Sequence, residues 1–189
     1  DNVQCPIIYT STANIWGNYP HIKEECTTVY AASKKATEVL IESYVKTKKI
    51  PAAFCLRLPG VVGYNNRGLV AKVIDLVKND KPLEFWNNCE KTYVYIQNVI
   101  TILLSENPKY DFKIKTLSNK DVLSTADIVR IVSQEYNKEY RKITFEGKYF
   151  PGDIDYFHPC SNYNYNEVLD SKVAIQRTCK DYILRQGYW

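Results

Sequence analysis

Apolar and polar residues fall into blocks along this chain, and the blocks carry two different periods. Pro6 to Tyr9 is a short apolar run that closes on the hydroxyl residues Thr10, Ser11 and Thr12, the pattern of a buried strand feeding a loop. Residues 18–25 are polar, hold Pro20 and read as loop. From Thr28 to Lys48 the apolar positions Val29, Ala32, Ala36, Val39, Leu40 and Tyr44 recur every three or four residues, which predicts a helix that Thr27 or Thr28 can cap. Ile50-Pro51 stops it, and Ala52 to Leu58 follows as the continuous apolar run of a strand buried on both faces in a parallel sheet. Strand, long helix and strand make a β-α-β unit, expected to be right-handed and parallel.

Beyond Leu58 the blocks are shorter. Leu69 to Lys78 has helical spacing, Leu83 to Trp86 reads as a short strand, and Tyr93 to Ile96 as another that runs into a helix over Val99 to Leu104. Phe112 to Leu117 is strand-like. Ser124 with Asp127 three residues on resembles a capping box ahead of a helix reaching about Tyr136. Ile143 to Phe145 is a weak strand, Pro151-Gly152-Asp153 a turn, and Ser171 to Leu184 a closing helix, while the aromatic and Asn-rich run from Tyr156 to Tyr165 has no clear period. The alternation of strands and helices predicts an α/β fold.

Composition narrows the function more than the fold. The 189 residues hold 45% hydrophobic and 24% charged side chains, which places the chain among globular proteins and away from disordered or fibrous ones. Lys+Arg 25 against Asp+Glu 21 gives a net charge of +4 with no block of like charge, so nucleic acid is not expected as a partner. The apolar runs are too short to span a bilayer, and no membrane association is expected. Cys5, Cys26, Cys55, Cys89, Cys160 and Cys179 form no C-x-x-C pair and none lies near His21 or His158, so no metal site is expected and reduced, cytoplasmic thiols are. The chain begins at Asp1 on a strand-like run, without a methionine anywhere.

Candidate chemistry centres on Tyr30 and Lys34. Four residues apart on a helix, they share one face, and an ammonium beside a phenol favours the phenolate, which a tyrosine needs to act as a base near neutrality. Spacing alone is weak in a chain with 16 tyrosines, and Tyr44 with Lys48 repeats it. Setting separates the two pairs. A strand ends in Thr10-Ser11-Thr12, the helix presents Tyr30 in its first turn, and the next strand ends in Arg57-Leu58-Pro59-Gly60; ligands in open parallel sheets bind outside the carboxyl ends of strands.

These segments resemble a known family, the extended short-chain dehydrogenase/reductases, and within it the NAD-dependent sugar-nucleotide epimerase/dehydratase group. Ile7 to Gly17 is similar to the family's strand ending in Ser-Ser-Ser/Thr and an aromatic-Gly, and Tyr30-Ala31-Ala32-Ser33-Lys34 matches its Tyr-x-x-x-Lys signature. Arg57 to Gly63 resembles the Arg-x-x-Asn-x-x-Gly strand end, and Tyr93 to Val99 a later segment usually written with acidic residues. The resemblance implies hydride transfer at a sugar carbon with Tyr30 as acid/base, Lys34 on the nicotinamide ribose and Thr12 on the reacting oxygen. It further implies an NAD (or NADP) site of Thr10, Ser11, Tyr30, Lys34 and Pro59, and a nucleotide-sugar site of Thr12, Gly60, Leu69 and Lys91. Lys91 stands where relatives often carry a phosphate-binding arginine.

Departures from the family pattern shape the expectation. Gly60 replaces an Asn that commonly touches substrate, and Ala13-Asn14 stand where the 4,6-dehydratases carry an Asp-Glu pair, which leaves 4-epimerisation or ketone reduction. None of the 7 glycines forms a G-x-x-G-x-x-G turn. The chain is therefore expected to be a C-terminal portion of the family without its Gly-rich N-terminal half: residues 1–66 and 93–118 as the late part of a Rossmann-like parallel sheet, residues 67–92 and 119–189 as a smaller mixed α/β substrate-binding region. On that reading it is a portion of a nucleotide-sugar epimerase that does not hold NAD tightly alone and is inactive without the missing half, whose partners are that half or a second copy. An NAD(P)-dependent reductase of the same family, or a non-catalytic remnant acting as an interaction module, are the alternatives.

Overall fold

The computed structural model describes residues 5–16, 24, 26–109, 111–119, 121–147 and 170–185. The Pro151 turn, the run from Tyr156 to Tyr165, both histidines, Cys160 and most of the loop over residues 18–25 lie outside them. In chain order, β1 (Ile7–Thr12) turns through a short 3-10 segment, Ala13–Trp16, and α1 (Val29–Lys46) follows. Thr28 caps α1, its hydroxyl accepting from Ala31 N at 3.0 Å. Next come β2 (Ala53–Leu58), β3 (Gly60–Val62) and α2 (Leu69–Lys78), then β4 (Leu83–Phe85), β5 (Glu90–Lys91) and β6 (Tyr93–Tyr95), which leads directly into α3 (Ile96–Ser105). The chain continues through β7 (Phe112–Thr116), β8 (Leu123–Ser124), α4 (Thr125–Glu135), β9 (Ile143–Phe145) and α5 (Ser171–Arg185).

β1, β2 and β7 form a three-stranded parallel sheet with β2 in the centre, Ile7 opposite Ala53 and Arg57 opposite Thr116. Because β2 is paired on both edges and covered on both faces, its side chains alternate between two apolar clusters. Phe54 and Leu56 pack with Val94, Val99, Ile102 and Leu117, the α3 side, while Ala53 and Cys55 pack with Ile41 of α1. This is a Rossmann-like parallel sheet with helices on both faces, accompanied by smaller two-stranded pairings: β3 with β6 and β4 with β9, both parallel, and β5 with β8, antiparallel. Of these short strands, β4, β6 and β9 fall where the sequence predicts strands, while β3, β5 and β8, of two or three residues, are too brief to show a period.

The largest apolar cluster lies away from that sheet, where α2, α4 and α5 bring together Val70, Val73, Val77, Ile128, Val129, Val132 and Ile175 with Leu83, Phe85 and Tyr93. Local polar groups close its helices. Ser124 and Asp127 exchange backbone and side-chain bonds in the capping box anticipated from their spacing, and the Asp121 carboxylate accepts from Ser171 N and Lys172 N, at 2.6 and 3.0 Å, at the start of α5.

One element differs in an informative way. The helix over Val29–Lys46 forms where its spacing places it, but its apolar stripe points outward: Val29, Val39, Leu40 and Tyr44 are exposed, and the buried residues are Ala31, Glu38 and Ile41.

Candidate active site

The carboxyl end of β1 gathers the hydroxyl residues. Ser11 and Thr12 are buried; Thr12 Oγ1 accepts from Asn14 N at 3.2 Å as the chain bends into the 3-10 turn, and Ser11 Oγ has no hydrogen-bond partner among the described residues. Lys34 Nζ donates to Thr10 O at 2.9 Å and sits 4.8 Å from the centroid of the Tyr9 ring. That bond uses one of three ammonium donors. Tyr30, one turn before Lys34, is 54% exposed. Thr10, Ser11, Thr12, Tyr30 and Lys34 thus occupy one strand end and the helix face that meets it, although no hydrogen bond among the described residues joins Thr12 to Tyr30. Pro59 is half-buried at the matching end of β2.

Beneath this rim lies a charged cluster that the sequence reading leaves out. Arg57, on the central strand, donates through Nε to Glu38 Oε1 at 2.9 Å and through Nη2 to Glu38 Oε2 at 2.7 Å, a fork-on-carboxylate pair with both side chains buried. The same guanidinium meets Glu24 Oε1 at 2.6 Å, and Lys35 Nζ meets Glu24 Oε2 at 2.7 Å. Trp16 lies 4.9 Å from Arg57 Cζ and donates from its indole to Thr116 Oγ1 at 3.2 Å. Burial alone would raise the Glu24 carboxyl, but the hydrogen bonds and charges of Lys35 and Arg57 outweigh it and hold it below its ordinary value. For Arg57, burial alone would loosen the proton; Glu38 and then Glu24 more than offset this, so the cation is held firmly. A signal for the cluster was present in the sequence, since Glu38 continues the four-residue series Tyr30, Lys34.

Gly60, Leu69 and Lys91 come together on one cavity of about 180 Å³, with Asn66 and Tyr93 also on its wall. Gly60 is required there by close approach: a Cβ at this position would lie 2.6 Å from Cδ1 of Tyr93. The aromatic ring takes the space a side chain would need, which is the physical counterpart of the missing Asn. Tyr93 is itself pinned, its N–H donating to Ser171 Oγ at 2.9 Å and its carbonyl accepting from Asn119 Nδ2. A second cavity of about 190 Å³ also borders Leu69, lined by Lys72, Phe85, Trp86, Asn87, Cys89 and Thr125. Only Leu69 of its lining was anticipated; the aromatic end of the strand Leu83–Phe85 was the available clue.

Cys55 and Cys179 are both buried. Burial pushes the Cys55 and Cys179 thiols up to about 12, far from thiolate reactivity at neutral pH. Among the described residues no group of His, Cys, Asp and Glu is placed to hold a metal ion, and no helix is long and apolar enough to cross a membrane.

Residues 2–112 match the model of the NAD dependent epimerase/dehydratase family, and the chain belongs to that family. Several solved structures share its fold. A UDP-galactose 4-epimerase superposes at a TM-score of 0.77 with 21% identity, over 97% of this chain and 64% of that one. UDP-glucose 4-epimerase of Thermus thermophilus, solved with NAD, gives 0.77 at 18% identity over 98% and 65%, and UDP-glucuronic acid 4-epimerase of Bacillus cereus, solved with UDP-glucuronic acid and NAD, 0.79 at 18% over 97% and 62%. The chain thus spans a little under two thirds of the length of these structures. No curated protein sequence matches it. The extent of the likeness corrects one expectation. The chain is not read as a C-terminal portion lacking the Gly-rich N-terminal half, because the family model is engaged from residue 2 and the superpositions take in 97 or 98% of this chain.

Proposed function

We propose that this chain serves an NAD-dependent nucleotide-sugar epimerase, with Tyr30 exchanging the proton of a sugar hydroxyl. The observation that carries the reading is the seating of the Tyr30–Lys34 face on the carboxyl end of β1, with Lys34 Nζ bonded to Thr10 O. Family membership and the fold shared with epimerases solved with NAD support it.

The residues at that strand end suit the ribose of a nicotinamide nucleotide. Lys34 has donors beyond the one given to Thr10, and the buried Ser11 hydroxyl has no partner among the described residues. Thr10, Ser11, Tyr30, Lys34 and Pro59 would hold NAD, which when bound supplies the acceptor for hydride from the sugar carbon. Tyr30, exposed and at the first turn of α1, can take and return the hydroxyl proton, while Thr12 orients the oxygen that bears it. Lys91, on the cavity with Gly60 and Leu69, offers a point charge to the phosphates of a nucleotide sugar. The division into a sheet part, residues 1–66 and 93–118, and a substrate part, residues 67–92 and 119–189, belongs to this reading, as do a cytoplasmic location and a homodimer.

Incubation of the chain with NAD and UDP-glucose or UDP-galactose, followed by NMR of the sugar, tests the proposal. Interconversion without net NADH release is expected, and its abolition in Tyr30→Phe. Turnover that survives Tyr30→Phe overturns the assignment; steady consumption of NAD(P)H with a keto sugar instead marks the reductase.

A further inference from the structure

Helix α1 packs in an orientation its apolar residues by themselves would not choose. Val29, Val39, Leu40 and Tyr44 are 88, 51, 58 and 46% exposed, whereas Glu38 is 0% exposed. At about 100° per residue Val29, Val39 and Leu40 lie roughly opposite Lys34, Glu38 and Ile41 around the helix. Apolar burial favours turning the first stripe toward the sheet. It is Glu38 and Ile41, with the half-buried Lys34, that face inward.

The interaction that competes is the buried pair. Arg57 sits on the central strand, in register with Ser11 on β1 and Thr116 on β7, so its place in the sheet is fixed from both edges. Its fork meets both oxygens of Glu38, which places one azimuth of α1 against β2. The remaining contacts of Arg57 run to Glu24, ahead of α1, and to Trp16, just after Thr12. One guanidinium is therefore tied to Glu38 on α1, to Glu24 ahead of it and to Trp16 after β1. A buried ion pair gains little over well-packed apolar residues of the same volume, because desolvation consumes its Coulomb energy, but its hydrogen bonds are directional where apolar contact is not. Glu38 lies one turn beyond Lys34 on the same face, so the rotation that seats Glu38 on Arg57 also brings Lys34 Nζ to Thr10 O.

We propose that Glu38 and Arg57 are positioning residues: they set the rotation of α1 on the sheet and thereby aim Lys34 and Tyr30 at the end of β1. The meaning of that aim rests on the proposed function; the aim itself does not. The test compares wild type with the paired variant Glu38→Leu/Arg57→Met, using hydrogen exchange and kinetics on the full chain. Melting close to wild type is expected, with amides of residues 10–16 and 29–34 exchanging about tenfold faster or more and those of α4 and α5 unchanged. Where turnover is measurable, kcat falls while KM for the nucleotide sugar holds. Unchanged protection at residues 10–16 and 29–34, a loss spread evenly over α4 and α5, or a raised KM at constant kcat overturns the proposal. Should the paired variant not fold, Arg57→Lys keeps the charge and removes the fork, and is judged by the same exchange pattern. If Tyr30→Phe retains full turnover, the catalytic reading falls while the exchange map still decides the positioning role.

Discussion

Around the three-stranded sheet the largest fully buried side chain is a cation, Arg57, whereas around α2, α4 and α5 the fully buried large side chains are apolar, among them Ile128, Ile175, Val73, Val77 and Val129. The first region is organised by directional bonds that run from strand to helix to loop. The second is organised by apolar area, with polar groups that bond locally, as at the helix ends Ser124–Asp127 and Asp121–Ser171 and at Thr178, which donates to Ala174 O within α5. Apolar contact is tolerant of small shifts, while a fork on a carboxylate is not. The region that carries Tyr30 and Lys34 is the one that holds its geometry by the less tolerant means.

The largest expected effect falls on chemistry alone. Tyr30→Phe should lower turnover by about 10² to 10⁴, yet leave the melting temperature nearly unchanged because the side chain is mostly exposed; a large loss of stability would place Tyr30 in the structural half of the comparison. Next in size is the removal of one charge. Glu38→Leu alone strands Arg57 without its buried partner and should cost about 3–5 kcal/mol in urea unfolding. In the second region, Ile128→Ala, at a fully buried position, should cost about 2–5 kcal/mol through lost area and the cavity left behind. The two losses are similar, but they part in the paired test: an apolar replacement of both Glu38 and Arg57 recovers stability, whereas no single partner change restores Ile128→Ala.

The smallest effect is the pH dependence of Glu24. Its folded carboxyl lies below the ordinary 4.5, held there by Lys35 and Arg57 against its burial. A carboxyl depressed in the folded state contributes stability that is complete above its unfolded value and is lost as pH falls through the folded one. Glu24→Gln should therefore melt lower than wild type at pH 7, by about 1 kcal/mol or less for a pair this near the surface. The gap should close as the pH is lowered below 4.5; a gap that persists in acid would show that Glu24 acts through packing rather than charge.

Much of this architecture was legible in the residues. Thr28, the run Ala52–Leu58 and the Ser124–Asp127 spacing each carry a local rule, capping or continuous apolarity, that operates within a few residues of chain. Tyr30 and Lys34 were visible because helical spacing alone puts them on one face. The Gly60 substitution was also visible, but its reason was not, since the ring that fills its space comes from Tyr93 on another strand. The second cavity, shared between α2, the end of β4 and Thr125 of α4, draws its lining from segments too distant in the chain for any period to join.

What the chain by itself determined is therefore the existence and order of its helices and longer strands and the pairing of Tyr30 with Lys34, because capping, periodicity and spacing act over a few residues. Which face of α1 turns inward was decided only in three dimensions. Hydropathy reads the exposed stripe as the buried one, and the choice is reversed by a carboxylate and a guanidinium 19 residues apart that meet across helix and strand.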